Sequence, residues 1–526
     1  MRLISLKLVL SLLFVPFMLS PAHATPPPLR CADLIIAADR AGKDIADHSD
    51  RRVVRVDGET LANPDALTAA VNRQGVEATI IVGGNFHGWD FSGLSLGLAC
   101  FVDSDLSQSN WSQARLSAPA FVRTNLEASD FKAANMAHVY FDNSNLKNAN
   151  ATGANLSWGR FGGGWFEGSV EGWTIDGADL TGFVFDCGIT VSDGCPVYQG
   201  GAAISAKGTN FTRATLHSFS LYNVALTGAL LDQTIIGPGQ LPDVAQAEFR
   251  GDIIFRGGVE DVRLTAEEAQ ILLAENAGMK AVKDRPSFAC SKAATKVETE
   301  ICGEYASDLR LADRDIAALY QRAQAVDSGV RTSQLTWLKQ RNKCAVEEYP
   351  SACIRDSYSL RKGQLLGLLG ETDWLAPGES ALFIDDVLPL PVAFRQSELF
   401  AEIMPALVGA SMTEILVERS DQGLYSIKGS AVGANAHMCS INASHLYFDK
   451  QSGWYIPVSE GPAIPIFRIF DGRLEIFADG KPDYEQYPQA SGFMSCGMRA
   501  SFGETVRINV GDALIENYRT SLNEEM

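Results

Sequence analysis

Across ASDFKAANMAHVYFDNSNLKNANATGANLSWGRF, residues 128–161, an apolar residue returns at every fifth position: Phe131, Met136, Phe141, Leu146, Leu156 and Phe161, with Ala151 the one small member. A strand repeats its faces every two residues and a helix every 3.6 or so, and neither buries such a row. The frame reaches back through Leu126, Phe121, Leu116, Trp111, Leu106, Phe101 and Leu96 to Phe91, and forward to Phe166. Two residues before each large side chain stands a small one, as at Ser104, Ser109, Ala114, Thr124, Ser129, Ala134, Ser144, Ala149 and Ala154. Between small and large lies Asp or Asn in most repeats. A chain that turns a corner every five residues, four repeats to a coil, accounts for the pattern. Large and small residues then point inward together, and Asn and Asp are expected at the corners, where they bond nearby amides. Backbone groups pair between stacked coils, leaving edges only at the ends.

After Phe166 the frame slips, continuing at Ile175, Leu180 and Phe185. An insertion over 186–206 follows, and the repeat resumes at Phe211, Leu216, Leu221, Leu226, Leu231 and Ile236. Before the repeats, a helix from about Pro64 and a strand at Ala78–Val82 are predicted to cap the first coil. Behind them, Thr265 and Glu268 form a capping box ahead of an amphipathic helix. Residues 286–370 change to helical period, with Leu309, Ala312, Ile316, Leu319 and Tyr320 on one helix, Leu335, Trp337 and Leu338 on a second, and a third from near Ser351. From about Pro377 short strands alternate with turns, and FDGRLEIF predicts a hairpin at Asp471-Gly472. The fold class is therefore a multidomain β + α chain. An N-terminal segment and cap (25–84) precede a β-helix (85–240) and a capping helix with linker (241–285); a small disulfide-linked helical domain (286–370) and an antiparallel β-rich domain (371–526) follow.

Residues 1–24 change the picture of where this chain works. Arg2 and Lys7 flank an apolar core over Leu8–Leu19, and Ala22-His23-Ala24 supplies a small-x-small site, the arrangement of a secretory signal peptide. No later segment is apolar enough to span a bilayer. All ten cysteines (Cys31, Cys100, Cys187, Cys195, Cys290, Cys302, Cys344, Cys353, Cys439 and Cys496) follow that peptide, and their even number in an exported chain reads as up to five disulfides. Cys31 is expected to tether Cys100, Cys187 to close a loop with Cys195, and Cys439 to join Cys496. Three pairings are open for the four cysteines of 286–370; the nested one, Cys302–Cys344 inside Cys290–Cys353, is the expectation. The formal charge of −19 becomes −21 without Arg2 and Lys7, which disfavours nucleic acid as a partner. Residues 286–370 are near neutral, with 12 basic and 10 acidic side chains, whereas 371–526 carry 10 and 22.

SNLKNANATGANLSWGRF and TNLEASDFKAANM resemble the pentapeptide-repeat family, whose A(D/N)LXX unit implies a right-handed quadrilateral β-helix. Cys290 and Cys302, followed by LADRDIAALY, WLKQRNKC and CIRDSYSLR, resemble the LprI-like lysozyme-inhibitor family. That resemblance implies an exported helical module, some members of which inhibit lysozyme. GANAHMCSINA and CGMRASFGE are similar to a C-terminal domain that often accompanies such modules. SGWY at 452–455 is similar to the Ser-Gly loop of periplasmic lysozyme inhibitors, lacks their further motif, and reads as a strand turn.

Candidate chemistry is thin. His437 and Cys439 stand two apart, but a nucleophilic cysteine must be free and Cys439 is expected in a disulfide. No nucleophile elbow, His-Glu-x-x-His or phosphate loop occurs. The cysteine spacings of 286–370 match no zinc pattern, and that segment holds no histidine. Asp385-Asp386 is an ordinary acidic pair, and Trp337 with Arg341, one turn apart, is expected to pack a helix on its neighbour. No catalytic residue, metal or cofactor is expected. The sequence points to a non-enzymatic binding protein of the periplasm with a protein partner, lysozyme or another envelope protein. The alternative is a periplasmic scaffold. Neither nucleic acid nor an integral membrane segment is expected, and the oligomeric state is left open.

Overall fold

The computed structural model describes residues 30–45, 52–162, 169–185, 203–258, 260–370, 375–433, 437–458 and 463–524. The signal-peptide segment, Phe166, Cys187 and Cys195 lie outside them.

The five-residue pattern builds a parallel β-solenoid. Its strands pair at an offset of twenty residues, Cys100 with Ala120, Ala120 with Tyr140 and Tyr140 with Arg160, so each coil holds four units. The offset lengthens to 24 at Asn155↔Asp179 and to 31 at Asp179↔Asn210, then returns to 20 at Asn210↔Leu230. The two longer coils carry four and eleven extra residues. The column that holds Leu146 therefore continues at the buried Val170, whose neighbour Ser169 accepts the Leu146 amide. Phe91, Leu96, Phe101, Leu106, Trp111, Leu116, Phe121, Leu126, Phe131, Met136, Phe141, Leu146, Leu156 and Phe161 are all buried in one core, which begins a unit earlier than the sequence suggests, at Phe86. Side chains one coil apart stack: Phe101, Phe121 and Phe141 run with centroids 5.5 and 5.6 Å apart and planes within 15°. Each such aromatic contact adds about 0.5–1.5 kcal/mol beyond area burial.

The corners differ from expectation. Asp105, Asn125 and Asn145 sit at the inter-coil bridges, and the turning residue lies three positions on, in left-handed conformation, as at Gln108, Ala128, Ala133 and Asn148. Many of these turns are closed by an amide bonding back three residues, such as Ser109 to Leu106 at 3.2 Å. The Asn and Asp side chains steady the approach to that turn. Asp105 Oδ1 accepts the Ser107 amide at 3.0 Å, and Asn125 Nδ2 reaches back to Asp105 at 3.1 Å. The small inward hydroxyls are satisfied too; Ser129 Oγ donates to the Leu106 carbonyl at 2.8 Å.

Helix α1 (Cys31–Arg40) lies on the outside of one solenoid wall, where Leu34, Ile35 and Ala38 pack with Val102, Ala120, Val122 and Tyr140. A disulfide joins Cys31 to Cys100 on that wall. Helix α2 (Pro64–Val71) is capped by Asn63 and places Leu67 and Val71 in the solenoid core, while strands Val53–Asp57 and Ala78–Val82 extend the sheet. At the other end, α3 (Ala266–Lys283) starts at the Thr265–Glu268 capping box.

The helical unit comprises α4 (Lys296–Ile301), α5 (Ser307–Gln324), α6 (Val330–Arg341) and α7 (Pro350–Leu369). Its disulfides are local, Cys290–Cys302 and Cys344–Cys353, and not the nested pair expected from sequence. Each bond staples one helix end to its own loop, and α5 against α7 carries the long-range packing instead. Trp337 and Arg341 are inside this unit. Trp337 Nε1 donates to the Ser357 carbonyl, and Arg341 donates to Tyr358 Oη at 2.9 Å.

The C-terminal part is a closed antiparallel barrel of eight strands. In order around it run Tyr425–Val432, Thr413–Arg419, Ser380–Asp385, Thr505–Ile508, Arg473–Ile476, Phe467–Phe470, Trp454–Pro457 and Met438–Asp449, which pairs back to the first. A short strand, Met494–Cys496, adds to Met438–Asp449 and carries the Cys439–Cys496 disulfide. Two helices absent from the sequence reading belong here, α8 (Glu398–Ala410) and α9 (Asp512–Glu524). Helix α8 closes the solenoid. Phe400, Ile403, Ala406 and Leu407 share the solenoid's core, and a Cβ on Gly257 would come within 2.1 Å of the Ala406 carbonyl. Among the described residues no helix is long and apolar enough to cross a membrane.

Candidate functional site

A dense cluster of charged side chains lies where the helical unit meets the barrel. The approach is close because two glycines on α7 admit it. A Cβ on Gly363 would stand 2.2 Å from the Ser452 carbonyl, and one on Gly367 would stand 2.0 Å from that of Lys450. The turn that joins Met438–Asp449 to Trp454–Pro457 thus rests on the helix. This is the SGWY segment, and α7 covers it.

Beside that contact, side chains far apart in sequence form one network. Lys362 Nζ on α7 lies 2.9 Å from Asp315 of α5 and 3.1 Å from Glu475 of the barrel. Arg468, stacked 4.2 Å over the Trp454 ring, donates through Nε to Glu475 at 2.8 Å and through Nη1 to the Ser359 carbonyl at 2.9 Å. Arg473 pairs with Asp315, and with Glu504 at 3.1 Å. Burial opposes the Glu475 charge, yet Lys362 and Arg468 outweigh it and lower its pKa to about 2. Burial likewise works against the Arg473 cation, and Asp315 and Glu504 overcome it and raise its pKa. Asp479 goes the other way, pushed up by burial and then by the Glu475 charge.

The network borders an open pocket of about 340 Å³ between α5, α7 and the Asp471-Gly472 hairpin. Two carboxyls with diverging pKa values suit acid–base chemistry only when both can reach a substrate. Here both Glu475 oxygens are taken, by Arg468 and Lys362. The other sequence candidates are also committed. Cys439 is in its disulfide. Asp386 pairs with Lys283 and Arg395, and Asp385 accepts the Met412 amide at 2.8 Å. Among the described residues no three His, Cys, Asp or Glu side chains gather as a metal site.

Sequence reasoning missed this junction because Asp315, Lys362 and Glu475 come together only through tertiary packing. One part was legible. Arg468 and Glu475 are equidistant from the Asp471-Gly472 turn, so the hairpin itself places them opposite each other. The Gly363-x3-Gly367 spacing on a helix was the second available signal, since paired small residues admit a close neighbour.

Comparison with known proteins bears on the solenoid. The family model described as pentapeptide repeats matches residues 120–157 in eight copies, so that segment is a run of such repeats. No curated protein matches the chain. Among solved structures, full-length QnrB1, a plasmid-mediated fluoroquinolone resistance protein, is 19% identical over 34% of this chain and 90% of its own, with a TM-score of 0.15. HetL, a pentapeptide repeat protein involved in heterocyst differentiation regulation in a Nostoc cyanobacterium, is 15% identical over 43% and 97%, with a TM-score of 0.16. Rfr23 from the cyanobacterium Cyanothece is 18% identical over 30% and 90%, with a TM-score of 0.11.

Proposed function

We propose that this chain is an exported, non-enzymatic binding protein of the cell envelope. In this reading a right-handed, four-walled β-helix (85–240) carries the LprI-like module (286–370) and the barrel (371–526) as one partner-binding unit, and lysozyme is the partner to test first. The observation that carries the reading is the committed charge at the helix–barrel junction, where the network's cations and all but one of its carboxylates are paired. Four disulfides among the described residues support an oxidising compartment. The net negative charge of 371–526 would steer a basic partner toward the unit. Inhibition would come from a surface other than the Ser452-Gly453 turn, which α7 covers. The test is turnover of a c-type lysozyme with the purified mature chain; full activity at micromolar excess of the chain removes lysozyme from the proposal.

A second reading, a periplasmic scaffold, is favoured by the core that runs unbroken from solenoid into barrel, since a scaffold needs rigid attachment. Cross-linking in intact cells separates the two. A scaffold retains other proteins of the same envelope, and an inhibitor of foreign lysozyme does not.

A further inference from the structure

We propose that the end of the helical unit carrying Tyr305, Val346 and Tyr349 is a docking surface for a basic protein. The proposal rests on the reading of the chain as a binding protein and gives that reading a surface. Helices α5 and α7 run in the same direction, with Asp308 beside Arg355 at 2.6 Å and, about two turns on, Asp315 beside Lys362 at 2.9 Å. Their N-terminal ends therefore lie together. Tyr305 stands two residues ahead of α5, and Tyr349 immediately precedes α7. Ser351 Oγ, in the first turn of α7, donates to Glu300 Oε2 at 3.3 Å and brings the Tyr349 loop against α4.

At this end large side chains face solvent. Tyr305 is 89% exposed, Val346 82% and Tyr349 70%. One such side chain alone is ordinary on a protein surface. Here three stand on two adjoining loops, and both loops are pinned. The Cys290–Cys302 disulfide holds the chain three residues before Tyr305, and Arg310, buried in α5, donates to the Gly303 carbonyl. Cys344–Cys353 brackets Val346 and Tyr349, and the Cys353 amide returns to the Tyr349 carbonyl at 3.2 Å. The two local disulfides thus fix the very loops that present the exposed residues. A tyrosine on a fixed loop offers a large contact area with only two side-chain torsions left to freeze, which lowers the entropic cost of association.

Charge selects the occupant. Segments 300–308 and 342–355 hold five carboxylates against Lys343 and Arg355, and Arg355 is taken by Asp308. Glu304, Glu347 and Glu348, next to the exposed residues, face solvent. Lys292, beyond the Cys290–Cys302 bond, and a half-charge of about +0.5 at each helix start still leave this end negative. Nucleic acid and anionic lipid are disfavoured, and a two-fold pair of copies would set carboxylate against carboxylate. A basic protein meets the rim favourably, and c-type lysozyme is one.

The test is calorimetry of a c-type lysozyme with the mature chain. Tyr305→Ser and Tyr349→Ser are each expected to weaken binding about tenfold, as loss of an interface anchor does. Tyr222→Ser, on the solenoid and 71% exposed, leaves it unchanged. Changing Glu347 and Glu348 together to Gln slows association and flattens its salt dependence. Wild-type affinity in both tyrosine variants places the contact elsewhere and overturns this surface while the binding-protein reading stands. No binding by the wild-type chain removes lysozyme and the surface together. Self-association of the mature chain that the tyrosine changes abolish assigns the face to a second copy, and also overturns the proposal.

Discussion

At the scale of single residues, the solenoid spends its polar side chains on its own backbone. The sequence showed that Asn or Asp belongs in most repeats, and hydrogen-bonding capacity was the right reason. The reading from sequence did not say which residue turns: the left-handed position is glycine in several turns, such as Gly88, Gly93, Gly153, Gly177 and Gly208, but Gln108, Ala128, Ala133 and Asn148 fill it in others, which hides the signal. Geometry places all of them alike. Ala133 has a φ of 55°, where an L-residue is strained and glycine is not. Ala133→Gly is therefore expected to leave stability unchanged or raise it by up to about 1 kcal/mol, against the usual loss for such a change; urea unfolding of the mature chain measures it. Asp105 follows the same logic: burial opposes its charge, but the Ser107 hydroxyl and amide hold its carboxyl below the usual range.

The junction adds a pH dependence. Glu475 titrates at about 2 in the folded chain, below the value of about 4.3 for a free glutamate. A depressed carboxyl stabilises the fold above its unfolded pKa, and that contribution is lost as pH falls toward the folded value. The melting temperature of wild type should thus exceed that of Glu475→Gln most above about pH 5, and the gap should close toward about pH 2. A gap that does not change with pH would remove Glu475 from the network's energetics.

Among the elements, the ones with strong period or cap chemistry were legible. Helix α3 begins at its Thr265–Glu268 box, Asp471-Gly472 turns the hairpin, and Leu309, Ile316 and Leu319 are on the buried side of α5. Helix α8 was not, because Pro405 lies within it and its neighbours are strands. The disulfides of 286–370 were undetermined for another reason. Four cysteines allow three pairings, and sequence spacing does not show which α-carbons approach within bonding distance. Helix α7 makes the sharpest prediction at this scale. Gly363→Ala would drive a methyl group into the Ser452 carbonyl and is expected to cost about 1–3 kcal/mol, with α7 and the 450–453 turn losing hydrogen-exchange protection together. The same change at Gly278, which has open space around it, should cost nothing.

For the whole molecule, the sequence suggested modules in series, and the structure joins them through shared cores. Leu382, Ile384, Phe400 and Ile403 belong to the same core as Phe101 and Phe121. Domain boundaries drawn by composition are blind to this, since an apolar helix reads the same whichever partner it covers. A chain ending at residue 285 would leave that end of the solenoid uncovered, so it is expected to self-associate where the mature chain does not. Light scattering after size exclusion decides between them, and a monodisperse monomer from the short chain would contradict the role given to α8. An uncovered apolar end of this kind is an aggregation hazard.

The rod's last coil is complete in the chain by Phe255, whereas the helix that shuts it begins only at Glu398. Any chain that stops between those two points therefore has a rod with an open tail, a product with a raw, sticky stump. Quality control needs no dedicated signal to recognise such a fragment; the missing lid is itself the mark of an unfinished chain.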